Sequence, residues 1–400
     1  MTVDDNRIAG EHGELTWATL PALDLPSPAA VLVDSADQAF AAARWHARAT
    51  SEMLLAAAAR VDDDMAAELR ADGFAIVRWT GGEPVVENRP ARSPAPGRLW
   101  LLTSGSTGRP KRVAHTVASL TTVRGAQTPR VWLCAYSPGT YAWWQMVTLA
   151  MAHPDQHLVA VDPADLDTWP ELAARHRVTA ASGTPTFWRR TLHQDAGALS
   201  RVPLEQITLG GEPVDQAILD QLTELFPHAR VSWIYASSEV GASIVVHDGR
   251  AGFPVEWLDR ADGVTLSVAG DELLVGSPHR AEGMDALVRT GDRVRIADGR
   301  VHIVGRLGAD EINVGGAKVS ASAVRDVLNS HPGVVWAGVR ARRAPLVGQV
   351  VVAEVVPGPD GPGEAELVAW CAARLEEPAV PRLIRFLDRV PVKETLKSDA

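Results

Sequence analysis

Thr103-Ser104-Gly105-Ser106-Thr107-Gly108-Arg109-Pro110-Lys111 follows directly on the apolar run Leu99-Trp100-Leu101-Leu102. The apolar run reads as a buried strand, so the polar segment emerges from it as a loop. Glycines let backbone N–H groups turn inward and converge on an anion, and hydroxyls and cations complete the cradle. The segment therefore predicts a phosphate-binding loop, against the plainer reading of a polar turn. It is not of the Walker type, because that glycine spacing is absent and Pro110 precedes the lysine.

At 400 residues the chain exceeds one ordinary core and predicts two or three domains. Hydrophobic residues make up 46% and charged ones 22%, the profile of a soluble globular protein. A formal net charge of −10, with no lysine-rich block, argues against a nucleic-acid partner. No apolar run reaches membrane-spanning length, so no membrane partner is expected. The acidic start Met1–Asn6 lacks the basic and apolar segments of a secretory signal. Cys134 and Cys371 stand far apart, and a cytoplasmic protein without a structural disulfide is the expectation.

The opening third alternates strand and helix patterns. Ala29–Val33 reads as a strand, and Ser35 with Gln38 resembles a capping box opening an alanine-rich helix to about Ala59. A helix over Met65–Ala71 stops at Gly73, before a strand at Phe74–Val77. Asp62-Asp63-Asp64 reads as a helix N-terminus rather than a metal site, since carboxylates there favour the macrodipole. Arg89–Gly97, with three prolines, reads as a linker into the phosphate loop. The alternation predicts an α/β architecture. Val294–Ile296 and Val301–Val304 predict a hairpin turned by Asp298-Gly299. Beyond it lie a helix over about Ala321–Asn329, strands near Val334–Val339 and Val350–Val356, and a helix near Glu364–Leu375. The parse is a large domain over 1–304, a glycine-containing hinge over 305–310 and a compact C-terminal domain over 311–400.

Five further segments follow in order: Gly210-Gly211-Glu212-Pro213, Tyr235-Ala236-Ser237-Ser238-Glu239, Thr290-Gly291-Asp292, Gly305-Arg306 leading to Ile312–Val319, and a late Lys397. Together with Thr103–Lys111 they resemble the core motifs of the adenylate-forming superfamily: acyl- and aryl-CoA synthetases, nonribosomal peptide adenylation domains and luciferases. The resemblance covers about residues 99–400. It implies an α/β fold, with a large multi-subdomain N-terminal adenylation domain and a small mobile α+β C-terminal domain. It also implies ATP and Mg²⁺ as cofactors and a small carboxylic acid activated as acyl- or aryl-AMP with release of pyrophosphate. The acyl group would then pass to the thiol of CoA or of a free-standing phosphopantetheinyl carrier protein.

The roles carried by the resemblance fit the physics of phosphoryl chemistry, in which phosphate charge must be held and neutralised. Thr103, Ser104, Gly105, Ser106, Thr107 and Gly108 with Lys111 would clamp the β- and γ-phosphates, Thr107 and Lys111 acting in catalysis. Glu239, preceded by Ser238 where threonine is usual, would help hold Mg²⁺. Tyr235 would offer adenine an aromatic face, with Gly210, Gly211 and Glu212 lining the slot. Asp292 would accept from the ribose hydroxyls, and Arg306 would add a cation near the ribose and hinge. Lys397 would bridge the attacking oxyanion and the α-phosphate. Gly308 would absorb the rotation between half-reactions, and Gly315-Gly316 would approach the acceptor tunnel.

The chain departs from the family pattern in places. About 100 residues precede the phosphate loop, fewer than is usual, and Leu396 stands where a glycine commonly precedes the lysine. Substrate choice is expected from Tyr141 to Gln145 and around Ser182-Gly183-Thr184-Pro185, with Gly210 and Ala236 beside them. There Tyr141, Trp143 and Trp144 form either an aromatic wall for a flat aryl or enoyl-type acid or ordinary core aromatics. His153 and His157 stand four apart, but Pro154 disfavours the single helix a zinc site would need. Two other functions use the same motifs: an ATP-dependent diazotase that adenylates nitrite for transfer to an aryl amine, and a non-catalytic nucleotide-binding protein.

Overall fold

The structure is a computed structural model, and it describes residues 2–10, 13–48, 51–103, 110–162, 165–258, 260, 263–308, 311–344, 348–392 and 396–397. Two α/β sheets, one antiparallel sheet and one small mixed sheet carry the described residues. In the first sheet the strands run in the order Glu83–Val86, Ala75–Thr80, Ala29–Val33, Met53–Ala57, Leu99–Thr103, Lys111–His115. The four inner strands are parallel and the two edge strands antiparallel. Successive side chains of Ala29–Val33 point to opposite faces. Val31 and Val33 pack beneath helix Ala36–Arg48, while Ala30 and Leu32 pack beneath helix Asp63–Ala71.

The helix expected to reach Ala59 ends at Arg48 instead, and Met53–Ala57 is a strand. The reason is burial. Met53-Leu54-Leu55-Ala56 is wholly buried between two parallel neighbours, and a strand covered on both faces is as continuously apolar as a buried helix. Gln38 reaches back to the Asp34 N–H at 2.8 Å, one residue before the expected partner. Asp62 caps helix Asp63–Ala71 by accepting from the Met65 N–H at 2.8 Å, as the acidic run predicts.

Helix Ala36–Arg48 is tied to the approach of strand Met53–Ala57 by His46, 2% exposed, whose Nδ1 lies 2.9 Å from Ser51 Oγ. Burial lowers the His46 pKa from 6.5 to about 4. The unfolded chain therefore takes up a proton in a window where the folded one does not, and stability falls as pH drops from about 6.5 to about 4. The shift corresponds to about 3 kcal/mol. His46→Asn should flatten that acid slope in urea unfolding, and an unchanged slope would show that His46 does not cause it.

The second sheet has eight strands, in the order Gly241–Val246, Arg230–Ser237, Gln206–Gly210, Ala180–Gly183, Arg130–Cys134, Gln156–Ala160, Arg7–Gly10, Gly13–Thr16. The antiparallel sheet spans Phe253–Arg306, and its hairpin Val288–Ala297 to Arg300–Arg306 turns on Asp298 and Gly299 at φ 51° and 71°. Positive φ at both positions is what a two-residue turn matched to strand twist requires. A smaller sheet of Glu311–Val314, Ala317–Ser320, Val334–Ala344, Gly348–Pro357 and Leu383–Phe386 carries helices Ala321–Asn329 and Glu364–Ala372 over its own core. The fold is thus a mixed α/β one, with a large N-terminal part and a smaller C-terminal part. No helix among the described residues is long and apolar enough to cross a membrane.

Candidate active site

The eight-stranded sheet places the site. Its chain passes from Arg130–Cys134 to Gln156–Ala160 on one side and returns to Ala180–Gly183 on the other, so the strand order reverses there. In open α/β sheets the ligand crevice lies beyond the carboxyl ends of the strands at that reversal. Tyr136 and Ser182 follow from those two ends, with their hydroxyls 2.9 Å apart. Gly183 must stay glycine, since a Cβ there would stand 2.2 Å from Phe187 Cδ1. The next two parallel strands deliver Gly210-Gly211-Glu212 and Tyr235-Ala236 to the same edge.

A register shift between Tyr235 and Ala236 marks a bulge, a device that re-aims side chains beside a site. The Tyr235 hydroxyl donates to Asp292 Oδ2 at 2.5 Å. That bond joins the second sheet to the third, where Arg306 Nε lies 3.0 Å from Asp292 Oδ1 across the hairpin. Burial pushes the Asp292 carboxyl above its ordinary value, although Tyr235 and Arg306 oppose the shift. The Tyr235 phenol is pushed up by burial and by the Asp292 charge. Each Asp292 oxygen has a second lone pair, so both can accept from a further donor.

Lys397 reaches this cluster from the far end of the chain. A Cβ on Gly211, whose φ is +82°, would lie 3.1 Å from Lys397 Cε and 3.7 Å from Nζ. Burial lowers the Lys397 pKa, and the charges of Glu212, Asp292 and Glu239 oppose that. Glu212 Oε2 accepts from the Thr186 N–H at 3.1 Å. The segment before Glu239 is pinned by the Ser238 carbonyl, 2.7 Å from His115 Nε2, while His115 Nδ1 is 2.9 Å from Ser119 Oγ.

Thr103 and Lys111 face each other across the ladder that brackets the phosphate loop, with Thr103 Oγ1 donating to the Lys111 carbonyl at 3.4 Å. Ser104, Gly105, Ser106, Thr107 and Gly108 lie outside the described residues. Among the described residues no three His, Cys, Asp or Glu side chains gather as a metal cage. Magnesium held between phosphates needs only one or two carboxylates. Glu239, near enough for its charge to act on Asp292 and Lys397, fits that demand.

The aromatic wall is corrected. Trp143 and Trp144 are 1% and 0% exposed, in the core shared by the first two sheets. Trp143 stacks on Phe40 with ring centroids 5.5 Å apart and meets Trp144 edge-on at 5.0 Å. Helix Tyr141–Ala152 is apolar on nearly every face and is covered on nearly every face, so its tryptophans serve packing. Tyr141, at the helix start, accepts from the Ala242 N–H at 2.9 Å. Sequence reading missed Tyr136 and His115, and placed Thr184 near the substrate without foreseeing its grip on Leu396. Tyr136 was findable as the aromatic hydroxyl just past a parallel strand's carboxyl end, and the Thr184 cap as a Thr-Pro helix start. His115 carried no local signal.

Comparison with known proteins adds an independent line. Residues 25–283 match the AMP-binding enzyme family, and residues 324–397 match the AMP-binding enzyme C-terminal domain. A long-chain-fatty-acid–CoA ligase of Escherichia coli is 26% identical over 262 residues, covering 59% of this chain and 46% of that one. A feruloyl-CoA synthase of Amycolatopsis is 28% identical over 335 residues, covering 73% of this chain and 66% of that one. The chain thus spans under half of the first relative's length. The amide bond synthetase McbA of Marinactinospora thermotolerans superposes with a TM-score of 0.70 at 20% identity, covering 99% of this chain and 96% of that one.

Proposed function

The chain belongs to the AMP-binding enzyme family, and from that premise we propose that it activates a small carboxylic acid with ATP and passes the acyl group to a thiol. The observation that carries the reading is Lys397, brought against Gly211 beside Glu212 and within electrostatic reach of Asp292 and Glu239. A carboxylate oxygen of the acid attacks the α-phosphorus in line, the bond to the bridging oxygen breaks, and pyrophosphate leaves. Lys397 supplies positive charge where the attacking and α-phosphate oxygens meet. Asp292, already oriented by Tyr235 and Arg306, accepts from the ribose hydroxyls. Glu239 would hold Mg²⁺, which neutralises phosphate charge. Lys111 and the loop over 103–108 hold the outer phosphates. In the second step a thiolate sulfur of CoA or of a carrier's phosphopantetheine attacks the acyl carbonyl, and AMP leaves.

The proposed acid is small and bounded by Tyr141, Ser182, Gly183, Gly210 and Ala236, and the buried Trp143 and Trp144 no longer argue for an aryl or enoyl type. The domain parse at 305–310 accompanies this reading, with the small domain carrying Lys397. The test is pyrophosphate release with Mg-ATP across aryl acids, enoic acids, fatty acids and nitrite with an aryl amine. Release with a carboxylic acid is the expected result. Release only with nitrite and amine would replace the proposal by the diazotase. Silence throughout, with ATP bound in calorimetry, would favour a nucleotide-binding protein without turnover. Amines join the acceptor panel because McbA is named an amide bond synthetase.

A further inference from the structure

Leu396 combines two features that rarely occur together. Its φ is +61°, in the left-handed region that residues with a Cβ avoid. The other non-glycine residues with positive φ among those described are Asp155, Arg177 and Asp298, all polar and all in turns. Leu396 is instead 0% exposed, and its side chain lies in the large domain's own core, in the cluster that holds Phe187, Leu209 and Val240. Backbone and side chain are therefore both committed to a site outside the small domain. Thr184 completes the attachment. Its hydroxyl donates to the Leu396 carbonyl and accepts from the Phe187 N–H at 3.0 Å, so one helix cap also grips the tail. The next residue is Lys397, against Gly211.

We propose that Leu396 is a latch, a positioning residue that plugs the chain's tail into the large-domain core and thereby holds Lys397 over Gly211 and Glu212. The favourable burial of one leucine offsets an unfavourable backbone conformation, so the docking is firm but reversible. Two contacts elsewhere span the same junction. Arg189 Nη1 donates to the Val335 carbonyl at 3.2 Å, and Arg293 Nη2 lies 2.8 Å from Glu311 Oε1. Neither touches the tail. The role of Lys397 rests on the function proposed above, whereas the docking of Leu396 does not.

The test is native-state cleavage after Lys397 by a lysine-specific endopeptidase, which releases residues 398–400 and is read by mass spectrometry. A docked tail cannot enter the protease cleft, so the rate follows the undocked population. Leu396→Gly relieves the backbone and removes the plug, while Leu396→Ala removes the plug alone. Leu396→Ala should be cut roughly 10–100-fold faster than the parent protein, Leu396→Gly by less because its relieved backbone returns part of the loss, and Leu396→Met, which can refill the site, should stay near the parent rate. An unchanged rate in Leu396→Ala, with unaltered global melting, would overturn the latch. In an enzyme shown to turn over, Leu396→Ala should lower kcat for adenylation while leaving KM for ATP and transfer from preformed adenylate unchanged. Equal loss in both half-reactions would overturn the positioning role. The protease readout needs no turnover, so an inactive protein with a protected tail would sink the proposed function and leave the latch standing.

Discussion

Lys397→Ala is expected to slow adenylate formation by roughly 10²–10³, the scale of removing one preorganised charge from a transition state. In the proposed reaction the side chain sits where charge develops, and the structure holds it against Gly211 and near Glu212, Asp292 and Glu239. Burial lowers its pKa and neighbouring carboxylates resist that, so its proton is lost at a lower pH than that of an ordinary lysine. Adenylation by the parent protein should therefore fall at alkaline pH, starting below the ordinary lysine pKa of about 10.5. Lys397→Arg keeps a charge that cannot titrate and should abolish that limb, even though its planar fork fits the site imperfectly. Thioester formation from isolated adenylate should change far less in Lys397→Ala. Equal losses in pyrophosphate release and thioester formation would refute the assignment.

How much of this could be read from sequence depended on whether a signal was local. The phosphate-loop strand was legible because its apolar run and glycine-rich exit adjoin, and Leu99–Thr103 is a strand. Helix Ala321–Asn329 falls where its pattern put it, capped by Ser320 accepting from the Ala323 N–H at 3.2 Å. Strand Met53–Ala57 was lost because only its two neighbours in space distinguish it from a helix. The ordering of Tyr235, Asp292 and Arg306 was legible, but their mutual bonds were not. Tyr235, expected as an adenine platform, also donates to Asp292, the carboxylate expected at the ribose. Trp143 and Trp144 misled for the opposite reason: a tryptophan in a motif-rich neighbourhood looks functional, and its burial is decided by Phe40, about a hundred residues earlier.

Replacing Glu52 with alanine should cost about 3–5 kcal/mol of stability, the price of breaking a buried charge network by removing one member. Glu52 is 0% exposed and accepts from Arg92 Nη1 and Nη2 at 2.7 Å each, the Ala95 N–H at 2.6 Å and Trp100 Nε1 at 2.7 Å. Burial alone would raise its carboxyl, yet these donors outweigh burial and hold it below the ordinary value. Its contribution is therefore present above the unfolded pKa and lost as pH falls through the depressed folded one. Arg92 is about a third exposed and can turn to water, which sets the loss toward the lower end of the range. The knot joins strand Met53–Ala57, the proline-rich linker and Trp100 on the strand that leads into the phosphate loop. Local loosening should therefore raise KM for ATP at temperatures well below global unfolding. Glu52→Gln, which keeps the shape and loses the charge, should fall between. Urea unfolding of the three proteins decides it. A loss in Glu52→Ala below about 1 kcal/mol, the scale of an exposed pair, would mean that the linker is held by other contacts and that Glu52 merely fills space.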